Sequence, residues 1–141
     1  MKEVKIIIFL FLAISVSCLG QKNSNRGTIK VVKDTAIYTK VDVMPEFSGG
    51  NAAMYNFIQL NLRYPQNAKE RGSSGTCFIT FAVNIDGSLS NIIILKGASG
   101  CPECDLAALR VINMMPKWTP GKNKGETVRV QYNIPIKFTL R

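Results

Sequence analysis

The feature that most constrains this chain is an uninterrupted alternation of apolar and polar residues from Thr127 to Leu140. This period of two is that of a β-strand with one buried face. A slip by one residue would expose the whole apolar set, so the register of the strand against a core is firmly set. The inward set is Val128, Val130, Tyr132, Ile134, Ile136, Phe138 and Leu140.

A second alternation predicts another half-buried strand from Thr76 to Ile85. Its inward residues are Cys77, Ile79, Phe81, Val83 and Ile85. Asp86-Gly87 follows directly, and this pair is typical of a hairpin turn because both residues tolerate positive φ. Leu89 to Lys96 is then predicted as the partner strand.

Helical spacing of apolar residues appears in three places. Asn51 is predicted to cap a first helix, in which Met54, Phe57, Ile58 and Leu62 share one face. Pro65 and Gly72 suit the start and the stop of a second, short helix. A third helix begins at Leu106 and ends before Pro116, since the residue before a proline is pushed out of the α region. Trp118, the only tryptophan, is expected to be buried beside it.

This order of elements predicts an α+β domain over residues 41–141, an antiparallel three-stranded sheet with helices packed on one face. A right-handed crossover through the third helix places the last strand beside the first hairpin strand, at an edge of the sheet. Pro135 agrees with an edge position, because proline cannot donate to a ladder.

The N-terminus predicts export. Lys2 and Lys5 precede a short apolar run and small residues, the pattern of a secretory signal over residues 1–20. Two exits compete. The segment ending in Cys18 resembles a bacterial lipobox, which would place a lipid on Cys18, whereas cleavage after Gly20 would leave a soluble mature chain. Residues 21–40 are predicted to be a short polar tether, so membrane association is expected only through the signal or a lipid anchor.

The formal net charge is +9, from 18 basic and 9 acidic residues. The basic residues do not cluster in one run or on one helix face, so we expect no nucleic-acid partner. An exported protein that meets acidic partners explains the charge as well.

Cys101 and Cys104 form a C-x-x-C motif, which suits a redox pair, half of a zinc site or a local disulfide. The chain has no histidine and no second such motif to complete a zinc site. A thioredoxin-like βαβ frame is also missing, so a structural disulfide or idle thiols are the favoured alternatives. We therefore expect no metal, no cofactor and no enzymatic activity.

Five segments, in this order and spacing, resemble the TonB C-terminal domain family, in the variant common in Bacteroidetes-type bacteria. They are Val43–Phe47, Gly49-Gly50, Arg63–Pro65, Asn84–Gly87 and Met115–Lys122. The resemblance covers most of the mature chain, about residues 41 to 140.

The resemblance implies a periplasmic binding module of outer-membrane transport. In that family, the box segment of a TonB-dependent receptor adds a strand to the edge of the last strand, by β-augmentation. Carried over by position, the receiving residues are Val128, Arg129, Val130, Gln131, Tyr132, Asn133 and Ile134. Asn61, Arg63, Tyr64 and Pro65 would contact the box from the side.

Departures from a full TonB lead to an alternative. A full TonB has an uncleaved membrane helix with a histidine and a long Pro-rich spacer, and neither pattern occurs here. We therefore expect binding without energy transduction. The alternative is a structural or regulatory envelope lipoprotein that uses the same fold to bind peptidoglycan or other envelope proteins. A homodimer through the exposed edge is a further expectation.

Overall fold

The computed structural model describes residues 36–141, so the predicted signal, Cys18 and most of the tether lie outside the described residues. Eight elements follow in chain order: β1 (Ile37–Tyr38), α1 (Gly50–Asn61), α2 (Gln66–Glu70), β2 (Gly75–Val83), β3 (Leu89–Lys96), α3 (Pro102–Asn113), β4 (Gly121–Asn123) and β5 (Glu126–Phe138). No helix among residues 36–141 has the length and apolar character needed to cross a membrane.

The three long strands form the antiparallel sheet that the sequence predicts. The strand order is β1-β5-β2-β3, so β2 lies between its hairpin partner β3 and the last strand β5. β5 runs antiparallel to β2 over Val130–Phe138, with Ile134 opposite Ile79. The α+β fold and the crossover that places the last strand beside the first hairpin strand are therefore confirmed.

Two short strands also pair with the first part of β5. β1, inside the predicted tether, pairs in parallel with Arg129 and Val130. β4 folds back on β5 through the turn at Lys124-Gly125 and pairs with Glu126–Val128. β1 lies on the side of β5 opposite β2, because β5 stands between the two in the sheet. Arg129 and Val130, on the edge predicted to be free, are thus already paired with another segment of the chain.

The core lies on one face of this sheet, where all three helices contribute buried residues. These include Met54 and Ile58 of α1, Ala68 of α2, and Ala107, Ala108, Val111 and Ile112 of α3. They pack with the inward residues of β2 and β5 that the alternations predict. Ile85 and Leu140 are exceptions, because they follow the last residues of their strands and are exposed.

Helix starts differ from the sequence prediction in two places. Gly49, not Asn51, caps α1, and it does so with φ of 92° and without a side-chain hydrogen bond. α3 begins at Pro102, four residues before the predicted start, with Cys101 as its N-cap. The apolar spacing misses this first turn because Glu103 and Asp105 lie in it.

Trp118 is the center of the aromatic core and is only 3% exposed. Its ring contacts Phe47, Phe81 and Tyr132, with centroids 5.7, 5.3 and 4.9 Å away. Its backbone N–H donates to the carbonyl of Gly87 at the hairpin turn, 2.8 Å away. A Cβ on Gly87 would lie 2.1 Å from the carbonyl oxygen of Trp118, so the turn approaches this closely only because residue 87 is glycine.

The segment around Trp118 also holds the N-terminal segment of the domain. Thr119 and Glu46 exchange backbone hydrogen bonds of 2.8 and 3.0 Å, and Lys122 and Val43 exchange two of 2.9 Å. The hairpin, the last strands and the chain before α1 therefore meet at one tryptophan.

The two cysteines of the C-x-x-C motif are joined by a disulfide, and both residues are fully buried at the start of α3. Cys77 on β2 is a free, buried thiol. Burial, and then a hydrogen bond to the Asp105 side chain, raise its pKa to about 12. A thiol held in its protonated form is a poor nucleophile at neutral pH.

We predict that Trp118→Ala lowers the free energy of unfolding by about 3–5 kcal/mol, because it removes a large buried side chain and leaves a cavity. Urea denaturation followed by circular dichroism measures this change. Lys117→Ala, at the exposed neighbouring position, is the control and should leave the midpoint nearly unchanged. An unchanged midpoint in the Trp118 variant would contradict the assignment of this ring as the center of the core.

We also predict that the double variant Cys101→Ser/Cys104→Ser remains folded and loses about 2 kcal/mol, the loop-closure value for so short a disulfide loop. Urea denaturation of the variant and of the oxidised wild type gives the difference. Because both sulfurs are buried, the folded wild-type protein should also fail to catalyse insulin reduction. Turnover in that assay would revive the redox alternative.

Candidate partner-binding edge

The part of β5 that remains open on its outer side is Gln131–Phe138. Within the described residues, β1 and β4 reach no further along β5 than Val130. Of the seven predicted receiving residues, Arg129 and Val130 pair with β1 on that side, and Val128 pairs with β4. No strand of the described residues pairs with Gln131–Phe138 on that side, where alternate residues turn their N–H and C=O groups outward. The role of the seven residues in binding stays a prediction.

A groove of about 670 Å³ runs between α1 and the C-terminal half of β5. Tyr55, Gln59 and Leu62 form the helical wall, and Pro135 and Lys137 form the strand wall. A segment laid along the open stretch would have unpaired backbone groups beside it and a helix above it. This combination can bind an extended peptide through both main-chain bonds and side-chain pockets.

Tyr132 connects this groove to the core. Its ring stacks on Phe81, with the centroids 5.7 Å apart, and meets the ring of Trp118 edge-on. Burial, followed by the neighbouring Tyr55, raises the pKa of its phenol, so the hydroxyl remains protonated at physiological pH. The open stretch therefore begins on a rigid aromatic base.

The side chains that line the groove are positive in sum, because they include Lys137 and Arg141 and no Asp or Glu. This favours a ligand segment that carries negative charge near the C-terminal end of β5. No group of three or more His, Cys, Asp or Glu residues that could hold a metal ion occurs among residues 36–141.

Of the predicted side contacts, Tyr64 lines this groove, and Pro65 follows it in sequence. The Tyr64 hydroxyl donates to the carbonyl of Ser73, and its ring meets Phe138 edge-on at 5.5 Å. Pro65 is the N-cap of α2, in an extended conformation. Tyr64 is thus held between α2 and β5 and closes the groove at the end of the strand.

Asn61 and Arg63 lie elsewhere. Both line a separate hollow between α1 and α3, although they are neighbours of Tyr64 in sequence. The Asn61 side chain donates to the carbonyl of Phe57, 2.8 Å away, within its own helix. The segment after α1 is extended, so successive side chains point to opposite sides. The predicted side contacts therefore divide between two places.

Sequence reasoning missed the helical wall of the groove. Tyr55, Ile58, Gln59 and Leu62 follow a helical spacing of three or four residues, which was the available signal. The apolar spacing assigns Ile58 and Leu62 to a core face and gives no role to Tyr55 or Gln59. Lys137 and Arg141 were missed because charged residues near a chain end carry no pattern of their own.

The family model described as "Gram-negative bacterial TonB protein C-terminal" matches residues 61–140. The chain is 31% identical over 99 residues to Protein TonB of Pasteurella multocida, a match that covers 70% of this chain and 38% of that protein. The chain thus spans well under half the length of this relative.

Two solution structures of the Helicobacter pylori TonB C-terminal domain also match. They are 28% and 27% identical, each with a TM-score of 0.48 and 62% of this chain covered, against 78% and 90% of the solved chains. The match of the family model extends over more than half of the sequence and includes the whole groove-forming strand β5. This protein belongs to the TonB C-terminal domain family.

Proposed function

We propose that this chain is a periplasmic, TonB-like module of outer-membrane transport, and that it binds the box segment of a TonB-dependent receptor as an added strand on Gln131–Phe138. Membership of the family supports the receptor as partner. The observation that carries the mode of binding is the outer side of β5 beside the groove of α1, which no strand of residues 36–141 pairs beyond Val130. The proposal covers binding only and assigns no energy transduction to the chain.

β1 covers the first part of the outer edge and gives the added strand a defined position. It pairs with Arg129 and Val130, so a receptor segment on that side meets β1 at Val130. Two ladder partners contribute little free energy, since one hydrogen bond adds only about 0.5–1.5 kcal/mol net. A receptor segment that extends toward the N-terminal end of β5 can therefore displace β1.

We predict that synthetic N-terminal segments of the TonB-dependent receptors encoded in the same genome bind this domain with a period-two dependence on their own backbone. N-methylation of a peptide nitrogen that faces β5 removes a donor and should weaken binding about tenfold, while methylation of the next nitrogen should change it little. Isothermal titration over a series of singly methylated peptides measures the pattern.

Charge reversal at a lysine of the groove tests the same proposal by changing the protein instead of the peptide. Lys137→Glu should weaken binding of acidic segments about tenfold, and Lys124→Glu, the same charge change in the β4–β5 turn, should have little effect. Circular dichroism confirms that both variants are folded. Equal loss in the two variants, or methylation effects without alternation, would refute pairing at this edge.

A further inference from the structure

A second hollow lies between α1 and α3, on the other side of the segment that follows α1. Its volume is about 280 Å³, and it is lined by Leu60, Asn61, Arg63, Ala107, Arg110 and Met114. Alternate residues of the segment 61–64 line the two hollows. Leu62 and Tyr64 line the groove beside β5, whereas Asn61 and Arg63 line this one. A ligand in one hollow is therefore separated from a ligand in the other by a wall of protein.

The hollow is bordered by large apolar side chains that nothing in the described part of the chain covers. Leu60 is 76% exposed and Met114 is 51% exposed. Leu106, 64% exposed, lies one helical turn before Arg110 on the same face of α3. Single exposed leucines are ordinary, but a contiguous apolar group on two neighbouring helices is typical of an interaction surface.

Two guanidinium groups lie among these apolar side chains. Arg63 and Arg110 are both exposed, and neither makes a hydrogen bond or ion pair in the described structure. Arg71, by contrast, is paired at 3.0 Å with Glu103 in the first turn of α3, so this carboxylate already has a partner. Like charges that share one hollow repel each other, and an anion between them would remove that repulsion.

We propose that the hollow between α1 and α3 is a docking site for an acidic, amphipathic peptide segment of a partner protein. Leucine-type side chains would cover Leu60 and Met114, and flanking carboxylates would pair with Arg63 and Arg110. Arginine suits this role, because its planar donors match a carboxylate in bidentate geometry. The site does not depend on strand pairing at β5.

Charge decides between this occupant and a second copy of the chain. A second copy would bring another pair of arginines to the same place, on a chain with a formal net charge of +9. Association of two such faces would therefore be opposed by repulsion, whereas an acidic segment complements both the apolar and the cationic parts of the hollow. The two helices offer the groove that an amphipathic helix fills in other complexes.

The probe is a blocked, fluorescently labelled peptide of about twelve residues that alternates pairs of glutamate and leucine, so that one helical face is apolar. Binding is measured by fluorescence anisotropy at about 0.15 M salt, where long-range attraction is screened. Amide shift mapping on the isotope-labelled protein locates the site. We expect shifts at the C-terminal end of α1 and in the last two turns of α3.

The double variant Arg63→Glu/Arg110→Glu should bind the peptide at least about tenfold more weakly. Lys96→Glu/Lys122→Glu makes the same change in net charge at exposed positions away from the hollow, and it should weaken binding by no more than about twofold. Arg63→Gln/Arg110→Gln, a milder change, should give an intermediate loss if the reversed variant is less stable.

Two altered peptides complete the test. Replacing the leucines by serine, or the glutamates by glutamine, should each reduce affinity about tenfold, because the hollow needs both contacts. Binding that survives the loss of leucine would show only non-specific charge attraction and would overturn the proposal. Shifts along β5, or a dimer seen by sedimentation, would assign the surface to another ligand and overturn it equally. Receptor segments that bind β5 should not displace the acidic peptide, so failure at either site is distinguishable from failure at the other.

Discussion

The fold depends on the burial of one indole ring. Trp118 is the residue at which the hairpin turn, the segment before α1 and the last strand all meet, through aromatic contacts and short backbone hydrogen bonds. A large flat ring fills space between elements that are far apart in sequence. Its indole N–H has no partner within the described structure, so shape and apolar contact stabilise this side chain more than polar bonding does.

This arrangement lets β5 serve two purposes. The inward side chains of the strand, among them Ile134, Ile136 and Phe138, are fixed in the core by their packing against β2 and the helices. On the outer side, beyond Val130, the backbone of the strand is not bonded to any other strand of the described residues. Tyr132 joins the two, because its ring contacts Trp118 while its main chain lies on the open stretch. The proposed edge is supported in this way before any partner arrives, which would reduce the entropy lost on binding.

The sequence predicts what depends on local periodicity. The long strands, the face of α1 and the stop at Pro116 follow from spacing within ten or so residues. β1 and β4 cannot be predicted in this way, because strands of two and three residues are too short to show a period and are defined by their pairing partners. Asn61 and Arg63 line one hollow and Tyr64 lines the other. This placement also depends on tertiary structure, since it follows from where α3 lies relative to α1. The family resemblance, not the residue types, points to this edge as a site, and only the register shows which part of it is already paired.

β1 limits the length of the outer edge of β5 that the described residues leave unpaired. A strand added at the proposed site can extend toward the C-terminus of β5, but in the other direction it meets backbone that is already paired at Val130. At about 3.3 Å per residue, the open stretch has room for a segment of roughly eight residues. The proposed edge would therefore favour segments of about this length. A longer extended segment would gain further ladder bonds only by displacing β1, and a shorter one would leave donors and acceptors of β5 to water.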